Sequence, residues 1–488
     1  MNVPIRRLLA VALVLFALLV GFTSQWSVFD AAELEAKVDN KRPLFEAQQI
    51  KRGKITAADG QVIANSRKEG DDESFQYVRQ YPTGSLFAHP IGYSFITQGT
   101  SGFERAENAT LTGEENEFVS IIDQIRGQRR EGSDIVTTLD ASAQQLATDQ
   151  LQATGRPGAV VAIEPSTGAV KVMASTPSFD PNRVPEDLDE FNDADPSVLT
   201  NRAIQELYPP GSTFKVVTAA AALDSGAATP DTVLSGASPQ TFSGVPLSNA
   251  GGEPFGDIDM RTALTHSVNT YFAQLGEMVG TETLLEYMDR FGFGKDPEVQ
   301  LPDEQKAASG VFVIDDKRGG FKQVDEGFDL ARVAIGQGGE EGEVRASVTQ
   351  MAEVAATVAN GGELMKPTLI EKVIDPDGRV TDELDPEVQS EVMSDETAAA
   401  LAEMMTSVTV EGTAAGLSVP GAESFAGKTG TAEINIEQDI AQPWFIAFAP
   451  VEDPQIAVAV TTDPCAGCFG GEVAGPIATA VMSEILGG

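Results

Sequence analysis

Histidine is nearly missing: His89 and His266 are the only two in 488 residues. Chemistry built on an imidazole base has little to draw on, so a serine nucleophile needs another group to take its proton. Cysteine is as scarce, with only Cys465 and Cys468, spaced as PCAGC. Two ligands alone cannot hold zinc. A redox site of the thioredoxin kind needs a strand before the motif and a helix opening at it, whereas Gly and Pro surround this pair. A structural disulfide or two idle thiols are left. Positive charge is short too, 33 Lys and Arg against 73 Asp and Glu, a formal net charge of −40. That balance argues against a nucleic-acid partner, because phosphate binding needs clustered cations. The acidity runs through many segments, such as EDLDEFNDAD (186–195), and reads as a solvated, self-repelling surface.

Long apolar runs are absent except for one. LLAVALVLFALLVGF (8–22) follows Arg6 and Arg7 and precedes Trp26. Its length is near the lower limit for crossing a bilayer. Basic residues before it and an acidic segment after it orient the bulk of the chain outside the cytoplasm. No small-x-small cleavage site follows, so residues 8–26 read as an uncleaved single-pass anchor in the cell membrane, with Trp26 at the outer interface.

The length exceeds one ordinary core, and three parts are expected: 1–27, cytoplasmic tip and anchor; 28–155, a polar non-catalytic pedestal; and 156–488, the domain that carries chemistry. In the pedestal KITAADGQVIA (54–64) predicts a hairpin around Asp-Gly, and DIVTTLD (134–140) a strand before the helix ASAQQLATDQLQA (141–153). GAVVAIEPSTGAVKVMAS (158–175) predicts a second hairpin. Three more strands are predicted at 425–434, 444–450 and 456–463. Between these groups lie helical segments at 214–223, 261–279, 347–360 and 395–409, and a last helix covers 473–486. Strands at both ends with helices between them suggest an α+β domain whose sheet is completed by its two ends.

The chemistry concentrates at YPPGSTFKVVT (208–218). Ser212 is the only serine with a lysine three residues later. Two prolines and a glycine stop the chain, so Ser212 opens a helix whose free N–H groups favour an anion. Lys215 follows one turn on, on the same face, and a lysine held neutral by burial or by nearby cations can take a serine proton. THSVNTYF (265–272) holds the only Ser-x-Asn, Ser267 and Asn269, and FAGKTGTAE (425–433) the only Lys-Thr-Gly, Lys428 to Gly430. Acyl transfer needs a nucleophile, a base, an oxyanion site and an acid for the leaving amine, and calls here for no metal or organic cofactor.

Ser-x-x-Lys, Ser-x-Asn and Lys-Thr-Gly in that order form the motif set of penicillin-binding proteins and serine β-lactamases. The chain resembles a class B penicillin-binding protein, most similar to the actinobacterial penicillin-binding protein A group. RGKITAADGQVIA (52–64), YPTGSLFAHPIGY (81–93) and GFERAENATLTG (102–113) resemble the pedestal of that class. Residues 158–182, 334–362, WFIAFAP and GGEVAGPIATAVM resemble its transpeptidase domain. The resemblance implies a penicillin-binding/serine β-lactamase-like fold, an antiparallel sheet flanked by helices plus an all-helical part, on an elongated α+β pedestal behind one transmembrane helix. It implies a peptidoglycan D,D-transpeptidase that cross-links stem peptides in cell-wall synthesis and division and is acylated by β-lactam antibiotics.

It also implies roles. Ser212 is the acylated nucleophile, Lys215 its base, Ser267 a proton relay and Lys428 the electrostatic support of that relay. Asn269 bonds the donor peptide, Thr429 and Thr431 grip its terminal carboxylate, and Gly430 keeps the strand flat for substrate. The backbone N–H groups of Ser212 and Thr431 form the oxyanion hole, a contribution on the order of 3 to 4 kcal/mol. A glycosyltransferase or division-complex protein is implied as partner. The set reads SVN where many β-lactamases have SDN, and PCAGC is not general in the class. Two other readings use the same residues: a β-lactamase or D,D-carboxypeptidase with water as acceptor, and a catalytically silent scaffold. His266 and His89 read as packing or surface residues.

Overall fold

The computed structural model describes residues 3–25, 48–71, 75–114, 130–314, 320–339, 341–435 and 437–488; Trp26 lies outside them. Helix α1, Val3–Ser24, contains the apolar run, and its 22 residues span about 33 Å, enough for a bilayer core. Among the described residues it is the one helix long and apolar enough to cross a membrane.

The pedestal is organised by a sheet. Strands β1 (Ile55–Thr56), β2 (Val62–Gly70) and β3 (Phe75–Gln80) follow one another in it. β1 and β2 form the expected hairpin, with Ile55 opposite Ala64 and Gly60 in the left-handed region at φ 87°. On the other side of β1 runs β4 (Asp134–Thr137), parallel to it. The free edge of β4 is taken by an antiparallel hairpin from far along the chain, Ile370–Ile374 and Val380–Glu383. Helix α2, Ala141–Ala153, starts where Asp140 accepts a hydrogen bond from the Ala143 N–H. It packs mainly on the next sheet and meets the pedestal where Gln144 donates to the Leu86 carbonyl at 3.1 Å. Two elements therefore cross the boundary expected at residue 155. The pedestal sheet needs a partner for its β4 edge, and α2 buries its apolar face elsewhere.

That next sheet is the frame of the site. β5 (Gly158–Ile163) and β6 (Val170–Thr176) form its N-terminal hairpin. The helical part in between includes α3 (Lys215–Asp224), α4 (Met260–Thr265), α5 (Asn269–Val279), α6 (Val348–Ala359) and α7 (Asp395–Val410). α4, α6 and α7 each begin at a capping side chain, Asp259, Ser347 and Ser394. The chain then returns as β7 (Ala426–Asn435), β8 (Ile440–Ala449) and β9 (Ile456–Thr462), and ends in α8 (Gly470–Leu486). The order is β7-β8-β9-β5-β6, so the two ends of the domain meet where β9 pairs antiparallel with β5. β5 and β9 are buried at every residue. A strand alternates its side chains between two faces, so both faces are covered. α2 and α8 pack together on one, and α6 crosses β5, β8 and β9 on the other. β7, which carries Lys-Thr-Gly, is left as an edge strand facing the helical part.

Candidate functional site

Pro209 and Pro210 end the extended approach, and Gly211 turns the chain at φ 53° into a short 3-10 turn, Gly211–Phe214, that runs into α3. The corner is clamped from two sides. The Gly211 N–H donates to the Gly336 carbonyl at 2.8 Å, and the buried Trp444 indole N–H donates to the Pro209 carbonyl at 2.9 Å. Gly336, at φ 77°, belongs to the AIGQGG stretch, and any side chain there would strike the Gly211 carbonyl. β7 lies against this corner without a gap. A Cβ on Gly430 would come within 2.8 Å of the Pro210 carbonyl and 2.9 Å of Thr213 Cγ2. The space that glycine frees is thus taken by the corner.

The expected helix over 261–279 is broken. α4 stops at Thr265, Ser267 takes φ 55°, and α5 starts at Asn269. The left-handed region is costly for a residue with a Cβ and persists only where the surroundings impose it. Here it turns the Ser267 carbonyl and hydroxyl together toward α3. Lys215 Nζ donates to the Ser267 carbonyl at 2.7 Å and to Asn269 Oδ1 at 2.7 Å, and lies 3.2 Å from Ser267 Oγ. From β7, Lys428 Nζ donates to the same Oγ at 2.9 Å and to the Thr429 carbonyl at 3.0 Å. The three motifs, far apart in the chain, therefore meet on one serine hydroxyl.

Both lysines are fully buried, and no carboxylate is bonded to either among the described residues. Burial pulls Lys215 well below the ordinary lysine range, and the Lys428 cation lowers it further. Burial brings Lys428 to about 7. A neutral lysine has two N–H bonds and one lone pair. The two acceptors at 2.7 Å take both N–H bonds of Lys215, which leaves the lone pair for a hydroxyl. The Ser212 side chain, half-buried at the turn, has no hydrogen bond among the described residues.

Asn269 also donates through Nδ2 to the Ser248 carbonyl at 2.9 Å, so both ends of its amide are engaged within the protein. The Thr429 hydroxyl lies 2.6 Å from that of Thr413, and Thr431 Oγ1 lies 3.4 Å from the Gly470 N–H that opens α8. Cys465 and Cys468 form a disulfide, and Cys465–Ala466 pairs with Ile440–Ala441 at the far end of the β7–β8 hairpin. His266 is exposed and stacks on Phe255. His89 is buried against Phe179, its ring nitrogen 2.9 Å from the Val198 carbonyl, and burial lowers its pKa to about 4.

Sequence reasoning missed Asn249 and Thr413. Asn249 is buried. It accepts from the N–H and hydroxyl of Thr270, at 3.0 and 3.1 Å, and donates to the carbonyls of Gly236 and Glu253. It caps the start of α5 from another segment and holds Ser248 over Asn269. In SNAGG it looks like an ordinary loop asparagine, and no local spacing marks it.

A serine at a helix-opening corner, two lysines depressed by burial and an edge strand alongside define the active-site-serine acyltransferase class. The chain belongs to the penicillin-binding protein transpeptidase family: residues 158–483 match the penicillin-binding protein transpeptidase domain, and residues 52–135 match the penicillin-binding protein A dimerisation domain. It is 35% identical to the peptidoglycan D,D-transpeptidase PbpA of Mycolicibacterium smegmatis, over 100% of this chain and 99% of that protein. It is 34% identical to PbpA of Mycobacterium tuberculosis, over the full length of both. Among solved structures it resembles the ceftriaxone acyl-enzyme complex of penicillin-binding protein A from M. tuberculosis, with a TM-score of 0.77 and 33% identity, covering 90% of this chain and 98% of that one. A D,D-transpeptidase domain from Eggerthella lenta matches with a TM-score of 0.75 and 32% identity, covering 90% and 98%.

Proposed function

We propose that the chain is a peptidoglycan D,D-transpeptidase in which Ser212 is acylated by a stem peptide and β-lactams occupy the same serine. The observation that carries this is the convergence of Lys215 and Lys428 on Ser267 beside the Ser212 turn. In acylation the Ser212 oxygen attacks the carbonyl of the penultimate D-alanine while its proton passes to neutral Lys215. The backbone N–H groups of Ser212 and Thr431 receive the negative oxygen, at the 3-10 turn and the edge strand that pack together. Collapse of the intermediate breaks the peptide C–N bond. Ser267, polarised by Lys428, delivers its proton to the departing D-alanine amine and regains one from Lys215, 3.2 Å away, which becomes neutral again. The D-alanine carboxylate had been held by the Thr429 and Thr431 hydroxyls. An amine from a neighbouring stem peptide then attacks the ester and gives its proton to Lys215, which passes it to the Ser212 oxygen as the ester C–O bond breaks and the cross-link forms.

α1 supports attachment to the cell membrane, with Arg6 and Arg7 on the cytoplasmic side and the pedestal and cleft outside. The pedestal sheet supports docking of a glycosyltransferase or division-complex protein that supplies the glycan strand. The test is to treat the purified full chain, in detergent, with a fluorescent penicillin. Wild type should gain one adduct, mapped to Ser212 and persisting from minutes to hours, and Ser212→Ala should gain none. An adduct on Ser212→Ala overturns the assignment, and rapid loss of the wild-type adduct points to a hydrolase.

A further inference from the structure

Thr413 lies on the loop that follows α7, outside the three motifs, yet it is fitted between two of them. Its hydroxyl is 2.6 Å from that of Thr429, and its N–H donates to the Thr265 carbonyl, two residues before Ser267, at 3.3 Å. The fit depends on glycines. A side chain on Gly412 would strike the Thr265 carbonyl, and a Cβ on Gly471, in the first turn of α8, would lie 2.9 Å from the Thr413 carbonyl and 3.3 Å from Thr429 Cγ2. Three segments thus close on Thr429, which is itself buried.

We infer that Thr413 is a positioning residue for the substrate's carboxylate, acting through Thr429; this rests on the reading of Thr429 as a carboxylate-binding hydroxyl. A hydroxyl has one proton. If Thr429 donates it to Thr413, none is left for an anion. If Thr413 donates to Thr429 instead, the Thr429 proton is free to point at a carboxylate oxygen. An anion in the cleft favours the second arrangement, and the chain Thr413 O–H to Thr429 O–H to carboxylate then polarises along its length. Without Thr413 the Thr429 hydroxyl loses the bond that sets its direction. The ligand class is a carboxylate beside the scissile amide, as in a D-alanine terminus or the acid group of a penicillin.

The test compares Thr413→Val and Thr413→Ser with wild type, as full chains in detergent, in acylation by penicillin G and by its methyl ester, which lacks the charge. Thr413 is exposed, so unfolding temperatures of the three proteins should agree. Thr413→Val should acylate about tenfold more slowly with penicillin G, the scale of one hydrogen bond to a charged group. With the ester it should match wild type, and Thr413→Ser should recover most of the rate with the acid. Equal loss with both ligands, or no loss with the acid, overturns the inference. Ser212→Ala serves as control: if it still acylates, the reading of the site fails, and if it is silent while Thr413→Val behaves as wild type, only the role of Thr413 fails.

Discussion

In the pedestal, Glu104 is fully buried between Arg79 at 2.5 Å and Arg52 at 2.8 Å, with the Tyr81 hydroxyl at 3.1 Å. In the cleft, Lys215 and Lys428 are equally buried but share a serine hydroxyl in place of a carboxylate. Burial alone would raise the Glu104 pKa, and the two guanidiniums outweigh it, so the carboxyl stays below its ordinary range and charged. In the cleft nothing outweighs burial, and both lysines are driven toward the neutral form. The same cost of removing charge from water thus gives opposite results. Opposite charges lock into a joint that ties β3 to the chain around Gly53, which accepts from Arg79 at 2.7 Å. Like charges and burial together favour the neutral amine that a base must be.

Removing Lys215 should break the contrast most severely. Lys215→Met is expected to slow penicillin acylation by about a thousandfold, within the range of a general base. It should also lower the unfolding temperature, because the Ser267 carbonyl and Asn269 Oδ1 lose their buried donor. A rate loss that only follows the folded fraction would assign Lys215 to structure. The pedestal counterpart is Glu104→Gln, which leaves the buried Arg79 and the half-buried Arg52 without their carboxylate. It should cost about 3 kcal/mol in denaturant unfolding, while the folded fraction acylates at the wild-type rate.

The smallest effect is on pH dependence. Neutral Lys215 is the reactive form and its pKa is lowered, so the acylation rate is full above that value. It falls up to tenfold per unit as pH drops through it. An ordinary lysine would begin to lose rate near pH 10.4. Lys428→Met removes the neighbouring cation, so the limb in a stopped-flow profile should move to higher pH. A limb that stays put would mean that burial alone sets the base.

Much of the frame was legible locally. The 158–175 hairpin, the returning strands and α2 appear where alternation, helical spacing and turn residues put them. The helix expected over 261–279 shows where such reading stops: its apolar spacing continues straight across Ser267, and nothing local announces the break. The break is imposed by contacts from elsewhere, the Lys215 amine on the Ser267 carbonyl and Asn249 on the start of α5. The crossed domain boundary has the same origin, since the partner for the β4 edge comes from residues 370–374.

Residue order by itself determined the kind of chemistry: a serine and lysine one turn apart at a corner, almost no histidine, and two later motifs able to complete an acyl-transfer set. Only the tertiary structure decided which atoms meet, that Lys215 bonds to Ser267 and Asn269, that Gly430 makes room for the corner, and that Thr413 reaches Thr429. The physical reason is one of range. Turn formation and side-chain spacing act over a few residues and are written in sequence order. Desolvation of the lysines and the aim of each hydroxyl depend on segments brought together by closure of the sheet and helices around them.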